Sequence, residues 1–157
     1  MSRRSRARAV VLQVLYEDDL NPRHDLPASD RFLQRRLHHD ESLVEFAREL
    51  LAGVRRNRPE LDRLLGEAAA NWSLARMAVT DRNALRLGAY EIVFTETPPR
   101  VAINEAIDLA RRFGTEQSGH FVNGILDRLL REQGPAASEK HASKTGIPDH
   151  FEAPKPS

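Results

Sequence analysis

Thr80-Asp-Arg-Asn-Ala-Leu-Arg-Leu-Gly-Ala-Tyr-Glu-Ile-Val93 is the stretch that decides the fold. Ala84, Leu85, Gly88, Ala89, Ile92 and Val93 recur at the i, i+3, i+4 spacing of a helix with one buried face. Thr80 is a plausible N-cap for it. Downstream, Pro98-Pro99 separates this helix from a second stripe at Ala106, Ile107, Ala110 and Phe113. Gly114 fits a helix C′ position, and Thr115 to Gly119 make a turn into a third stripe, Phe121, Val122, Ile125, Leu126, Leu129 and Leu130. Gly134-Pro135 is expected to end that helix.

Upstream the same spacing recurs. Leu61, Leu64, Leu65 and Ala68 form one stripe, with Pro59 placed for its first turn. Leu43, Phe46, Ala47, Leu50, Leu51 and Val54 form another, capped by Ser42 with Glu45 or by Asp40. Ala7, Val10, Val11, Val14 and Leu15 form the first, closed by Asn21-Pro22 and Pro27. A weaker stretch near Arg31 to Leu37 adds a short helix. Trp72 follows a stripe and is expected in the core. No segment alternates as a strand would, so the chain is all-α. After Gln133 the composition turns to Pro, Ser, Ala, Lys and Gly, which cannot bury enough to offset ordering entropy; residues 133–157 are expected to be a disordered tail.

The 157 residues suit one domain or two small packed subdomains. No apolar run is long enough to span a bilayer and no signal-peptide pattern follows the first arginines, so a cytoplasmic protein is expected. The absence of cysteine excludes disulfides, thiolate catalysis and cysteine-based zinc sites. A net charge of +1 does not mark a nucleic-acid binder, but its distribution is uneven. Arg3, Arg4, Arg6 and Arg8 open the chain without an acid among them, and the only lysines are Lys140, Lys144 and Lys155.

Two segments have the chemistry of an RNA surface. On the first helix, Arg4, Arg6 and Arg8 flank the apolar stripe, while Ala9, Leu12 and Tyr16 fall on the far side. Guanidinium groups meeting phosphates beside a ring that stacks on a base suit single-stranded nucleic acid. An ordinary basic N-terminus with Tyr16 packed on a neighbour reads equally from these residues. The second segment is the turn Gly114-Thr-Glu-Gln-Ser-Gly-His-Phe-Val-Asn-Gly124, where backbone N–H groups at a helix start join Arg111, Arg112 and His120. There too a local structural role for Phe121, Val122 and Asn123 remains open. Enzymatic constellations are weaker. His38-His39-Asp40 are adjacent and diverge by about 100° per residue on a helix, so they share no metal-binding face. Glu105 and Asp108 share a face, but Asp108 lies four residues before Arg112 and reads as half of a solvated ion pair. Glu17-Asp18-Asp19 reads as a solvated helix end.

Together these segments resemble the NusB family. The matching pieces are Arg4-Ser-Arg-Ala-Arg8 leading to Val14-Leu-Tyr16, then Leu50-Leu-Ala-Gly-Val54, Leu61-Asp62 and Trp72-Ser-Leu. They continue with Asp81-Arg-Asn-Ala-Leu-Arg-Leu-Gly-Ala-Tyr-Glu91, Val101-Ala-Ile-Asn-Glu-Ala-Ile107, Phe113-Gly114 and Phe121-Val-Asn-Gly-Ile-Leu-Asp127. They run in family order over residues 3–131.

The resemblance implies about seven helices in two small packed bundles, residues 3–57 and 59–132. It implies a non-enzymatic transcription antitermination factor with no catalytic residue, cofactor or metal. Such a factor binds the boxA element of nascent RNA as a heterodimer with NusE, a small-subunit ribosomal protein. The pair joins RNA polymerase, NusA and NusG and supports ribosomal RNA transcription. Carried over by position, the RNA surface comprises Arg4, Arg6, Arg8 and Tyr16, with Gln117, Ser118, His120 and Phe121 opposite; the NusE-facing surface comprises Asp81 and Arg76.

The chain departs from the family at Ser5, which interrupts an arginine run, and at Gln117, where many relatives carry an acid. A similar module occurs fused to ribosomal RNA methyltransferases, but their cofactor motifs are not found here. The alternative is a helical interaction module or homodimer that buries the Ala9, Leu12 and Tyr16 patch.

Overall fold

The computed structural model describes residues 1–23 and 25–144, with side-chain environments up to residue 133. These residues form six α-helices and one 3-10 turn, with no strand among them: α1 (Arg3–Leu20), α2 (Leu26–Arg36), α3 (Glu41–Ala68), the 3-10 turn Leu74–Arg76, α4 (Val79–Phe94), α5 (Pro99–Phe113) and α6 (Ser118–Lys144). No helix among the described residues is long and apolar enough to cross a membrane.

The deciding stretch is α4, and it is buried more completely than one stripe requires. Every residue from Asn83 to Val93 is withdrawn from water, because α1, α3, α5 and α6 all pack on this helix. Leu85, Leu87 and Ile92 each contribute on the order of 1.5–3 kcal/mol by leaving water. Burial on all sides forces Arg86 and Glu91, which lie off the stripe, to find partners inside the protein.

α1 is also more enclosed than expected. Ala9 and Leu12, assigned to an exposed far side, are buried with Val11 and Leu15 because α2, α3, α4 and α5 all touch this helix. Two of the three residues that a homodimer was expected to cover are therefore part of the chain's own core, and Tyr16 stays exposed.

Four boundaries differ from expectation. Asp25 caps α2 by accepting from the Ala28 N–H at 3.0 Å, and Pro27 sits in its first turn rather than breaking the chain. α4 begins at Val79 after Ala78 with no side-chain cap, so Thr80 lies inside the helix and does not cap it; of the two caps read for α3, Asp40 is the one used. Pro59 lies inside α3 and does not start a new helix, so the two stripes on either side of it share one 28-residue helix and the expected boundary at 57–59 falls within it. A helix absorbs one proline by losing a single N–H bond when packing holds both halves, and Leu50, Leu51, Val54, Leu61, Leu64 and Leu65 are all buried. Likewise α6 continues through Gly134-Pro135 to Lys144; the expectation of disorder for residues 145–157 lies outside the described residues.

Candidate nucleic-acid interface

Two side chains join the start of α1 to α5. The Ser5 hydroxyl donates to Glu105 Oε1 at 2.7 Å, and Arg112 Nη1 lies 3.1 Å from the Met1 sulfur. The arginine-bearing end of α1 thus stands beside the last turn of α5, which runs directly into the turn before α6. Arg4, Arg6, Arg111 and Arg112 are exposed around this junction, whereas Arg3 pairs with Asp40 at the start of α3. Arg112 lies over the Phe113 ring at 5.1 Å, and Phe113, expected in the core, is 37% exposed at the helix end. In place of the expected ion pair with Asp108, the Arg112 guanidinium turns to Met1 and Phe113.

The turn before α6 is compact. Ser118 is 1% exposed, and its Oγ accepts from the Thr115 N–H at 2.9 Å. Gly114 is required by space: its φ of −107° suits any residue, but a Cβ there would meet Ala110 O at 2.7 Å and the Ser118 side chain. Arg111 lies over Gly119, with Cγ and Nε 2.8 and 2.9 Å from where a Cβ would stand. Gln117 and His120 point to water, and Phe121 is half-buried.

Arg8 does not belong to this surface. It is 4% exposed, and its guanidinium donates to both oxygens of Glu91 on α4 at 2.7 and 2.8 Å. Glu91 also accepts from the Thr97 hydroxyl at 2.9 Å, and Glu105 lies 3.6 Å from Arg8 Nη1. Burial acts to lower the Arg8 pKa, but the Glu91 hydrogen bonds and charge, with Glu105, outweigh it and raise it. A cation held in this way cannot reach a phosphate. Ser118 is excluded for the same reason, its hydroxyl being spent inside the turn. Of the expected set, Arg4, Arg6, Gln117 and His120 are exposed around the junction. Arg4 is oriented by the Phe46 ring, 4.5 Å from its guanidinium carbon. Beyond Arg4 a cleft of about 700 Å³ carries Glu49, Glu96 and Glu105, acids that disfavour a polyanion there.

Tyr16 is 41% exposed but lies ten residues after Arg6, about 15 Å farther along α1. Its neighbours are those of the helix's other end, where Glu17 is exposed as expected but Asp18 and Asp19 are drawn into a network. Asp18 pairs with Arg55 at 2.8 Å. Asp19 accepts from Arg58 at 2.7 Å, Asn83 at 2.7 Å, Arg86 at 3.0 Å and Arg82 at 3.1 Å. Burial pushes the Asp19 carboxyl up, but Asn83, Arg86 and Arg82 together hold it below the usual carboxylate range. This network locks the end of α1 to the start of α4, next to Asp81. Asp81 is half-buried, and its Oδ1 is enclosed without a hydrogen-bond partner. Arg76 is exposed in the 3-10 turn. Tyr16 and the exposed Leu20, one turn apart, thus share the Asp81 end of the molecule. No three His, Asp or Glu side chains among the described residues converge as metal ligands. Of the residues that face water here, Phe113, Trp72 and Leu20 escaped the sequence reading because core and surface apolar residues share the same helical spacing.

The model of the NusB family matches residues 5–131. The transcription antitermination protein NusB of Desulfatibacillum aliphaticivorans is 45% identical over 130 residues, covering 82% of this chain and 90% of the relative. Among solved structures, T. maritima NusB superposes with a TM-score of 0.76 at 38% identity, covering 89% of this chain and 98% of that one. A structure of the antitermination factors NusB and NusE in complex with dsRNA gives a TM-score of 0.72 at 26% identity, covering 84% and 98%. An unbroken family match across α1 to α6, on a fold shared with these structures, means that this chain belongs to the NusB family.

Proposed function

We propose that this chain is a transcription antitermination factor that binds the boxA element of nascent RNA together with NusE. The carrying observation is the junction of α1 with α5, which gathers the exposed Arg4, Arg6, Arg111 and Arg112 beside Gln117 and His120. Guanidinium groups neutralise phosphates, and the polar turn offers donors and acceptors to unpaired bases. The neighbouring structure of NusB with NusE and dsRNA supports this reading. In the cell the pair would join RNA polymerase, NusA and NusG and support ribosomal RNA transcription.

Asp81, with Arg76, is the proposed NusE-facing site. Position favours it: Asp81 is half-buried in the first turn of α4, and Arg76 is exposed in the 3-10 turn that precedes that helix. Tyr16 and Leu20, exposed and one turn apart beside it, fit a protein partner better than a phosphate backbone.

Fluorescence anisotropy with a labelled boxA RNA, with and without NusE, tests the reading against a scrambled RNA. Tighter binding to boxA that strengthens with NusE is expected. Equal weak binding to both RNAs, unchanged by NusE, overturns it and leaves a helical protein-interaction module.

A further inference from the structure

We propose that Trp72 and Phe121 form a separate aromatic subsite that takes one unpaired base of the bound RNA. The inference rests on the reading of the chain as an RNA-binding protein and extends its contact surface beyond the arginines of α1.

Sequence spacing puts Trp72 in the core, but its indole is 60% exposed in the turn between α3 and the 3-10 turn. It is nevertheless held. Its ring meets Phe121 edge to face, with centroids 5.4 Å apart and planes at 81°. Its backbone N–H donates to Ala69 O at 2.8 Å, which fixes the turn that carries the ring. A large aromatic fixed in position and left in water is a stacking platform with little ordering entropy left to lose.

The surroundings favour RNA over a protein. Phe121 belongs to the same turn as Gln117 and His120, so the indole continues that surface. No acid lies between Glu67 and Asp81 or between Glu116 and Asp127, although the chain carries 23 acids in 157 residues. The two segments that present the ring pair are therefore free of the charge that would repel phosphate. Ala70, Asn71, Ser73 and Ala75, the exposed neighbours of Trp72, are small or polar and offer no apolar rim for a protein core to bury.

Trp72 is the only tryptophan, so intrinsic fluorescence reads this site alone. The full chain is titrated with an unlabelled single-stranded boxA RNA while anisotropy of a labelled copy reports total binding. RNA is expected to quench Trp72 emission and shield it from acrylamide. Trp72→Ala should weaken binding roughly 5- to 150-fold, as loss of one stacked base does, and Trp72→Phe should weaken it less. Far-UV circular dichroism confirms that both variants are folded.

RNA binding with unaltered emission and unaltered Trp72→Ala affinity would overturn the subsite and leave RNA binding intact. Shielding by NusE alone, and none by RNA, would assign the indole to a protein contact and also overturn it. No RNA binding by the wild-type chain, with or without NusE, would overturn the underlying reading and the subsite with it.

Discussion

The two ends of α1 treat their charges in opposite ways. At the start, Arg4 and Arg6 remain in water and pair with no acid among the described residues, although Arg3 beside them pairs with Asp40. At the end, Asp18 and Asp19 are drawn inside and saturated by Arg55, Arg58, Arg82 and Arg86. Arg8 belongs with the second group although it lies two residues from Arg6, because α4 offers it Glu91. A charge on a helix is structural where a facing element supplies its counter-charge, and is free for a ligand where none does. Ion pairs hold α1 on α3 and α4, and Arg4 and Arg6, which have none, are the arginines of this helix proposed to meet RNA.

The largest effect that breaks this contrast comes from Arg8. Arg8→Ala strands the buried Glu91 and should cost on the order of 3–5 kcal/mol, read as a lower urea midpoint. Arg6→Ala should leave that midpoint within about 0.5 kcal/mol. Equal stability of the two variants would erase the distinction between them.

Acid provides the next test. The Asp19 carboxyl is held below its unfolded value of about 3.9, so its stabilising contribution is complete above that pH and is lost as pH falls through the folded value. Urea midpoints at about pH 6 and about pH 3 should therefore converge more in Asp19→Asn than in the wild type. An unchanged acid loss in the variant would place the responsible carboxylate elsewhere. A smaller effect separates the proposed RNA and protein faces. Tyr16→Ala should weaken NusE binding by about 1–2 kcal/mol and leave affinity for RNA alone unchanged. The reverse result would restore Tyr16 to the RNA surface.

Much of the fold was legible because helical spacing is a local property: Val10, Val11, Val14 and Leu15 could be assigned to a core without knowing what covers them. What covers the rest of a helix is not local. Nothing in the spacing of Ala9, Leu12 or Leu87 distinguishes a helix wrapped by four others from one with a solvated face. Pro59 and Pro135 carried the same breaker signal as Asn21-Pro22, but packing of Leu50 to Leu65 overrode it in α3. For the proposed site, the exposure of Arg4, Arg6, Gln117 and His120 agrees with what charge and turn chemistry, together with the family resemblance, led one to expect. Burial of Arg8 was not legible, because Glu91 lies 83 residues away in the chain. Exposure of Trp72 and Phe113 was missed for the complementary reason: an apolar side chain at a helix end is covered only if another element reaches it.

The most direct test of the central claim is the salt dependence of boxA affinity. With Arg8 withdrawn, Arg4, Arg6, Arg111 and Arg112 remain to neutralise about four phosphates, and a single-strand slope near −0.7 per contact gives roughly a 50-fold loss between 50 and 200 mM salt. Arg6→Ala should reduce that slope by about 0.7 and weaken all RNA sequences alike. An affinity that does not change with salt, or a slope that falls only in Arg8→Ala, would contradict the division of charges between the two ends of α1.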